Sequence, residues 1–171
     1  METLEAIFLR RSVRKYIADK PVEQDKIKTI LRAAMSAPTA RNIQDWEFFV
    51  VDTLEGKKKI MQAHPYASML NTAPCAIIVC ANKKRSENCE GYFEQSCAAA
   101  LQNILLAATD LGLGSVWLGV YPRKEVRDAL HKIFAMPADI IPVGIAVLGY
   151  ADETKPKEDR YDIKKVHFNV S

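Results

Sequence analysis

Residues 94–119 read EQSCAAALQNILLAATDLGLGSVWLG, and this stretch decides how the rest of the chain must be arranged. Its first part has apolar side chains at helical spacing from Cys97 to Leu111, and further alanines and leucines make the other faces of the helix apolar too. A helix that is apolar on nearly every side has to be covered on every side. Two arrangements remain open, namely burial within one chain and burial against a second copy of the chain.

Three glycines follow this helix, at Gly112, Gly114 and Gly119. They do not form the GxGxxG pattern of a dinucleotide-binding turn, and they follow a helix rather than a strand. The usual Rossmann cradle and the P-loop are therefore excluded. We expect these glycines to end the long helix and to let the backbone approach a neighbouring element closely.

Helices and strands alternate in the remainder of the chain. Apolar spacing predicts four further helices, over residues 3–10, 27–35, 55–63 and 122–134. Runs of β-branched and aromatic residues predict three buried strands, at residues 48–51, 75–80 and 143–148. Thr3 is expected to cap the first helix, and Pro122 is expected in the first turn of the last one.

Length and composition narrow the class of protein. A chain of 171 residues favours one domain, spanning residues 1–171, because two separate cores would each be marginal. The formal net charge of +3, from 24 basic and 21 acidic side chains, is too balanced for an extensive nucleic-acid-binding surface. No apolar run approaches the roughly 20 residues of a membrane-spanning helix, and the amino-terminal segment lacks the apolar stretch of a signal peptide. We expect a cytoplasmic protein that binds neither nucleic acid nor membrane.

The cysteines and histidines are too scattered to indicate a metal site. The four cysteines have no CxxC spacing, and some lie in apolar segments, so reduced thiols are expected. They stand at positions 75, 80, 89 and 97. The three histidines are widely separated and form no HExxH motif. The sequence therefore predicts no metal.

A basic segment, RRSVRKY over residues 10–16, follows the first helix. In an extended chain, Arg10, Ser12 and Arg14 project to the same side, which places two guanidinium groups and a hydroxyl on one face. The planar donors of arginine suit a phosphate, and the hydroxyl adds one more donor. The alternative interpretation is a basic surface turn paired with nearby acids.

A polar loop, PTARNIQDW over residues 38–46, lies between the second helix and the first strand. Small and amide side chains held by rigid elements can present hydrogen-bonding groups to a planar polar ligand. Ordinary turn chemistry, with Trp46 in the core, is the alternative. A second short segment, HPYASM over residues 64–69, either lies near the ligand or forms a surface turn.

In this order and spacing, these segments resemble the FMN-dependent nitroreductases over nearly the full chain. The resemblance rests on residues 10–16, 37–46, 102–108, 112–119 and 149–150, followed by a basic tail. It implies an α+β fold with a mixed, mainly antiparallel central sheet flanked by helices. It also implies an intertwined homodimer with one FMN at each of two subunit interfaces.

The resemblance further implies which residues hold the cofactor. These residues fall into three groups. Phosphate and the polar edge of the flavin would be held by Arg10, Arg11, Ser12 and Arg14, with Arg160 joining the phosphate. The other subunit would contribute Pro38, Thr39, Ala40 and Asn42. The segment passing along the flavin ring would be Trp117, Leu118 and Gly119, with the backbone N–H near Gly119 directed at the flavin N5.

The implied activity is that of an NAD(P)H-dependent FMN oxidoreductase. Hydride from NADH or NADPH would pass through flavin N5 to a nitroaromatic, a quinone or a similar small electrophilic acceptor, and no catalytic side chain is expected because the flavin carries the chemistry. The alternative is an FMN-binding protein of the same fold with a dehalogenase-like, flavin-handling or regulatory role. The chain departs from the family at Asp45, where proline is usual, and at Gly119, where many members have an acidic residue.

Overall fold

A computed structural model describes residues 1–87 and 91–169, which are built around a four-stranded sheet. The strands have the spatial order β1-β2-β4-β3 and every neighbouring pair is antiparallel. They are β1 (Trp46–Val51), β2 (Cys75–Asn82), β3 (Gly114–Gly119) and β4 (Ile140–Gly149). One isolated parallel bridge joins Ser12 to Ser115 at the β3 edge. The predicted α+β fold with a mainly antiparallel central sheet is confirmed.

Helices cover both faces of this sheet in the part of the chain that the structure describes. They are α1 (Thr3–Leu9), α2 (Gln24–Met35), α3 (Leu54–Ala63), α4 (Phe93–Asp110) and α5 (Lys124–Phe134). The buried side chains of α2 and α4 join one hydrophobic cluster, and those of α3 and α5 join another. Strands contribute to both clusters because successive side chains alternate between the faces of a sheet. The result is a three-layer arrangement of helices, sheet and helices.

The long helix α4 is covered along one stripe by its own chain. The stripe consists of Ser96, Cys97, Ala100, Leu101, Ile104, Leu105 and Ala108, all buried. It packs against α2 and against the sheet, mainly β4. The apolar residues on the other faces, such as Ala98 and Leu106, are only half-buried. Burial within the chain therefore accounts for the stripe and leaves part of the apolar surface of α4 open.

Removing one side chain from this stripe should measurably destabilise the protein. Leu101 is fully buried, whereas its neighbour Gln102 is exposed. We expect Leu101→Ala to lower the free energy of unfolding by about 2–5 kcal/mol, because it deletes buried methyl groups and leaves a cavity. Gln102→Ala is the matched control, with an expected change within about 0.5 kcal/mol. Urea denaturation measures both, and equal midpoints would contradict the packing of α4.

The structure differs from the sequence-based predictions at the start of α1, at the start of α5 and at β3. Thr3 lies inside α1, and Glu2 occupies the N-cap position without a side-chain hydrogen bond. Pro122 precedes α5, which begins at Lys124. Strand β3 was not predicted, because glycines at both of its ends weaken the strand pattern. By contrast, Gly112 has φ +75° just after α4 ends, as expected for a glycine that ends a helix.

The cysteines that the structure describes are buried thiols. Cys75, Cys80 and Cys97 are free, and burial raises the pKa of Cys75 to about 12 and also raises the pKa of the other two. Cys89 lies outside the described residues. Within residues 1–87 and 91–169, no cluster of three or more potential metal ligands occurs, and none of the helices has the length and apolar character needed to cross a membrane.

Candidate functional site

The basic segment 10–16 lies along the outer edge of the sheet, beside β3. The N–H of Val13 donates to the carbonyl of Ser115 at 2.9 Å. Gly114 makes this approach possible, because a Cβ there would lie only 2.9 Å from Val13 Cγ1. The buried hydroxyl of Tyr16 donates to the carbonyl of Val13 at 2.7 Å. The segment is therefore fixed on the sheet and is not a loose surface turn.

Three arginines meet at the start of this segment. Arg10, Arg11 and Arg160 line one cavity of about 580 Å³, together with side chains of α1 and of the carboxyl-terminal tail. Burial, followed by the positive charges of Arg160 and Arg11, lowers the pKa of Arg10 below its ordinary value. Arg10 forms no ion pair with any other residue in the described ranges. An anionic ligand would relieve this repulsion and supply the missing hydrogen-bond acceptors.

Glu158 holds two of the three arginines in position. One carboxylate oxygen accepts a hydrogen bond from Arg11 Nη2 at 2.7 Å, and the other accepts from Arg160 Nε and Nη2 at 2.9 and 2.7 Å. These charge-assisted bonds lower the pKa of Glu158. The cavity lining still carries four cationic side chains against two carboxylates. The local charge therefore favours an anion even with Glu158 ionised.

Ser12 and Arg14 do not line the arginine cavity. Arg14 lines a second cavity of about 420 Å³, together with residues of the turn that follows α3. Glu153 fixes the backbone there by accepting a hydrogen bond from the N–H of Arg14 at 2.6 Å, and this bond is the main cause of the lowered pKa of Glu153. Arg14 lies four positions after Arg10, which in an extended chain is a distance of roughly 13 Å.

The end of β3 presents backbone groups to the same outer edge. In an antiparallel strand, the N–H and C=O of one residue point to the same side, and the side alternates along the chain. Because Ser115 faces away from β4 toward Val13, Trp117 and Gly119 face the outer edge too. Leu118 points into the core, and Trp117 is half-buried. A Cβ built at Gly119 would meet no atom within 4 Å among the described residues, so the space beside this residue is open.

The turn after α3 contacts the end of β3 at Gly119. His64 is buried, and its Nε2 lies 3.0 Å from the carbonyl oxygen of Gly119. Met69 and its neighbours line the cavity of Arg14, whereas the Tyr66 side chain is exposed. The sequence alone leaves open whether segment 64–69 lies near the ligand or forms a surface turn. No pattern could have found the contact, because His64 and Gly119 are 55 residues apart.

The loop before β1 lies apart from both cavities in its own chain. Its members Pro38, Thr39, Ala40 and Asn42 line neither of them. The loop contains a short 3-10 turn over Ala40–Asn42, and Arg41, Asn42 and Gln44 have left-handed φ values of 51°, 56° and 51°. The N–H of Gln44 donates to Thr39 Oγ1 at 3.0 Å, which closes the turn.

Asp45 anchors this loop to the end of β2. Its side chain is fully buried and accepts a hydrogen bond from Ser86 Oγ at 2.8 Å. Its backbone carbonyl accepts from the N–H of Asn82 at 2.7 Å. Trp46 follows and is buried in the core, which is the position that the alternative interpretation of the loop gave it. The chain thus holds the loop by hydrogen bonds at the position where proline is usual in the family that it resembles.

Large apolar side chains of α1 and of the tail remain exposed, and three of them, Ile7, Phe8 and Tyr161, line the arginine cavity. Phe8 is 63% and Phe168 77% exposed. The full set is Leu4, Ile7, Phe8, Tyr161, Ile163, Val166 and Phe168. Neighbouring exposed apolar side chains of this kind mark a surface for association.

Known proteins match this chain over almost its whole length. The model described as "Nitroreductase family" matches residues 7–64 and 61–150. A protein of Methanothermobacter thermautotrophicus named "Putative NADH dehydrogenase/NAD(P)H nitroreductase" is 43% identical over 167 residues, covering 98% of this chain and 86% of that protein. A crystal structure of a Bacteroides thetaiotaomicron protein with the same name has a TM-score of 0.92 at 40% identity, covering 99% and 98% of the two chains. A structure named FMN-dependent nitroreductase, from Clostridium difficile, has a TM-score of 0.87 at 32% identity, covering 98% and 99%.

Proposed function

The chain belongs to the nitroreductase family and is an NAD(P)H-dependent oxidoreductase, and from this premise we propose how it works. It binds FMN in the arginine cavity and along the outer edge of β3. It transfers hydride from NADH or NADPH to an electrophilic organic acceptor, such as a nitroaromatic or a quinone. The observation that carries the proposal is the meeting of Arg10, Arg11 and Arg160 in one cavity.

The residues at this edge fit FMN at both of its ends. The three guanidinium groups suit the phosphate, because their planar donors match its oxygens. Arg14 lies roughly 13 Å further along the extended segment, which suits the polar edge of the ring at the other end of the same ligand. At Gly119 the absence of a side chain leaves room for a flat ring. The Gly119 N–H points to the outer edge of β3.

The protein's task in this reaction is to bind, orient and stabilise charge. When bound, FMN supplies the redox chemistry, taking a hydride from the nicotinamide and passing two electrons to the acceptor. Arg10, Arg11 and Arg160 neutralise the phosphate. Arg14 supplies a positive charge to the ring edge on which negative charge develops during reduction. No nucleophilic or acid–base side chain is needed for these steps.

We propose that a second copy of the chain completes each site. Ile7 and Phe8 of α1 and Tyr161 of the tail are exposed and line the arginine cavity, and a second copy would cover them. The loop over residues 38–42 lines neither cavity of its own chain, which suits a role in the partner's site. In the homodimer this loop faces the cofactor that is held by the other subunit's arginines.

Anaerobic stopped-flow reduction tests the proposed activity. The protein is saturated with FMN and mixed with NADH or NADPH, and the flavin absorbance is followed through a single turnover. We expect it to bleach with at least one of the two nucleotides, at least as fast as the steady-state turnover of a nitroaromatic or a quinone. A bound flavin that stays oxidised with both nucleotides would contradict the proposal and favour an FMN-binding protein without turnover.

A further inference from the structure

We propose that His64 is a positioning residue for the cofactor: it holds Gly119 in the backbone conformation that aims the Gly119 N–H at the flavin ring. This inference rests on the proposed function, in which Gly119 faces the ring.

Two backbone groups determine which ring nitrogen of His64 carries the hydrogen. His64 directly follows α3 and is only 2% exposed. Its Nδ1 lies 3.2 Å from the backbone nitrogen of Tyr66, and its Nε2 lies 3.0 Å from the carbonyl oxygen of Gly119. Because the Tyr66 N–H can only donate, Nδ1 is the acceptor and carries no hydrogen. Nε2 then carries the hydrogen and donates it to Gly119.

Gly119 needs such a partner on its outer side, because β3 is an edge strand and only its inner side is paired with another strand. It is the last residue of an edge strand, and glycine has more backbone freedom than any other residue. On the inner side, the N–H groups of Val120 and Tyr121 both donate to the carbonyl of Val143, at 3.2 and 3.0 Å. On the outer side, the bond from His64 restrains the Gly119 carbonyl. The bonds to Val143 and the bond from His64 together restrain the backbone at Gly119 from the inner and the outer side of β3.

The direction of the Gly119 N–H follows from its carbonyl. In an extended strand both groups of one residue point to the same side, so fixing the carbonyl also fixes the N–H. His64 bonds only to the carbonyl and leaves the Gly119 N–H, which points to the outer edge of β3, available to a ligand. A directed backbone donor is most useful where a ligand atom has a lone pair, as the flavin N5 does.

The turn itself shields this hydrogen bond. The ring of Tyr66 meets His64 edge-on, with ring centroids 6.0 Å apart. The guanidinium of Arg123 lies 5.6 Å from the centroid of the Tyr66 ring. A buried hydrogen bond held in a low-dielectric site is stronger than one in water. His64 therefore gives Gly119 a stiff support, although it does not touch the cofactor itself.

Two substitutions of His64 separate its two hydrogen bonds. In His64→Asn, the side-chain oxygen can still accept from the Tyr66 N–H, but the amide is too short to reach Gly119. In His64→Gln, the longer amide can donate to the Gly119 carbonyl, as Nε2 does, and the contact with Tyr66 is lost. A residue that only stabilises the fold would give both variants the same effect on the flavin.

The measurement is the ¹⁵N resonance of N5 in bound, isotopically labelled FMN. We expect His64→Asn to move this resonance from its position in the unaltered protein and to slow flavin reduction by about tenfold, as for the loss of one hydrogen bond. His64→Gln should restore the resonance. Equal resonances in both variants, whether moved or unmoved, would overturn the inference.

A second measurement requires neither a variant nor a bound flavin. ¹⁵N spectra of histidine in the FMN-free protein should show His64 as the neutral form with hydrogen on Nε2. Hydrogen on Nδ1, or an imidazolium at neutral pH, would overturn the inference even if the variants fail to fold. If the unaltered protein takes up no FMN but shows the expected tautomer, the proposed function fails, and the role of His64 toward the flavin fails with it.

Discussion

Replacement of Arg10 by alanine is expected to weaken FMN binding by about 100-fold or more. A charge-assisted hydrogen bond to a phosphate contributes about 1.5–3 kcal/mol, and each 1.4 kcal/mol corresponds to a tenfold change in dissociation constant. Arg10 can make two such bonds with its planar donors. Burial and the charges of Arg160 and Arg11 lower its pKa, and unlike those two arginines it has no carboxylate partner among the described residues, so an anion would stabilise it.

Two control variants separate the loss of a phosphate contact from a general loss of positive charge. Arg10→Lys retains the charge but not the paired donors of arginine, so it should weaken binding by an intermediate factor. Arg32→Ala removes an exposed arginine near the end of α2. Arg32 lines neither the arginine cavity nor the cavity of Arg14, so its removal should leave the affinity unchanged. Titration of the FMN-free proteins with FMN at one fixed salt concentration measures all three. An unchanged dissociation constant in Arg10→Ala would contradict the phosphate site.

Stability of the FMN-free variant separates a lost ligand contact from a damaged fold. Arg10 is repelled by Arg11 and Arg160 and has no ion pair within the described residues. Removing Arg10 therefore removes electrostatic repulsion among the three arginines. We expect Arg10→Ala without FMN to unfold at a temperature no lower than that of the unaltered protein without FMN. A much lower value would mean that weakened FMN binding reflects unfolding.

Mixing two defective subunits should restore half of the FMN sites, provided that each site is shared between subunits. One parent carries Arg10→Ala, which removes the phosphate contact in its own site. The other carries Ala40→Trp, which inserts a large ring into the loop that faces the partner's site. Each homodimer then has a lesion in both sites, and we expect both to bind FMN poorly.

In the mixed dimer, both lesions fall in the same site and the other site is intact. We therefore expect purified heterodimers to bind one FMN per dimer with the affinity of the unaltered protein. If Arg10 and Ala40 instead served the same site within one chain, every site of the heterodimer would carry one lesion. A heterodimer without any tight site would contradict the sharing of sites. Tandem affinity tags isolate the heterodimer, and thermal unfolding checks that each parent folds.

Regular elements of the fold could be predicted because their side-chain patterns are local. The stripe from Cys97 to Ala108 follows helical spacing, and the apolar run at Cys75–Cys80 is buried on both faces of the sheet. Strand β3 could not be recognised in this way. Its six residues begin and end with glycine, and its pairing with β4 and with the segment at Val13 comes from residues distant in sequence.

The site was less accessible to sequence reasoning because its contacts are distant along the chain. Arg10 and Arg160 lie 150 positions apart, and only the resemblance to a family connected them. The left-handed conformations of Arg41 and Gln44 are rare for side-chain-bearing residues and depend on tertiary contacts such as the bond between Asp45 and Ser86. Such contacts leave no periodic signal in the sequence.

Sedimentation velocity, recorded at the flavin absorbance after saturation with FMN, tests the central claim most directly. The account predicts one boundary with the mass of two chains, carrying one flavin per chain. Flavin that sediments with a single chain, or a dimer that carries none, would contradict it.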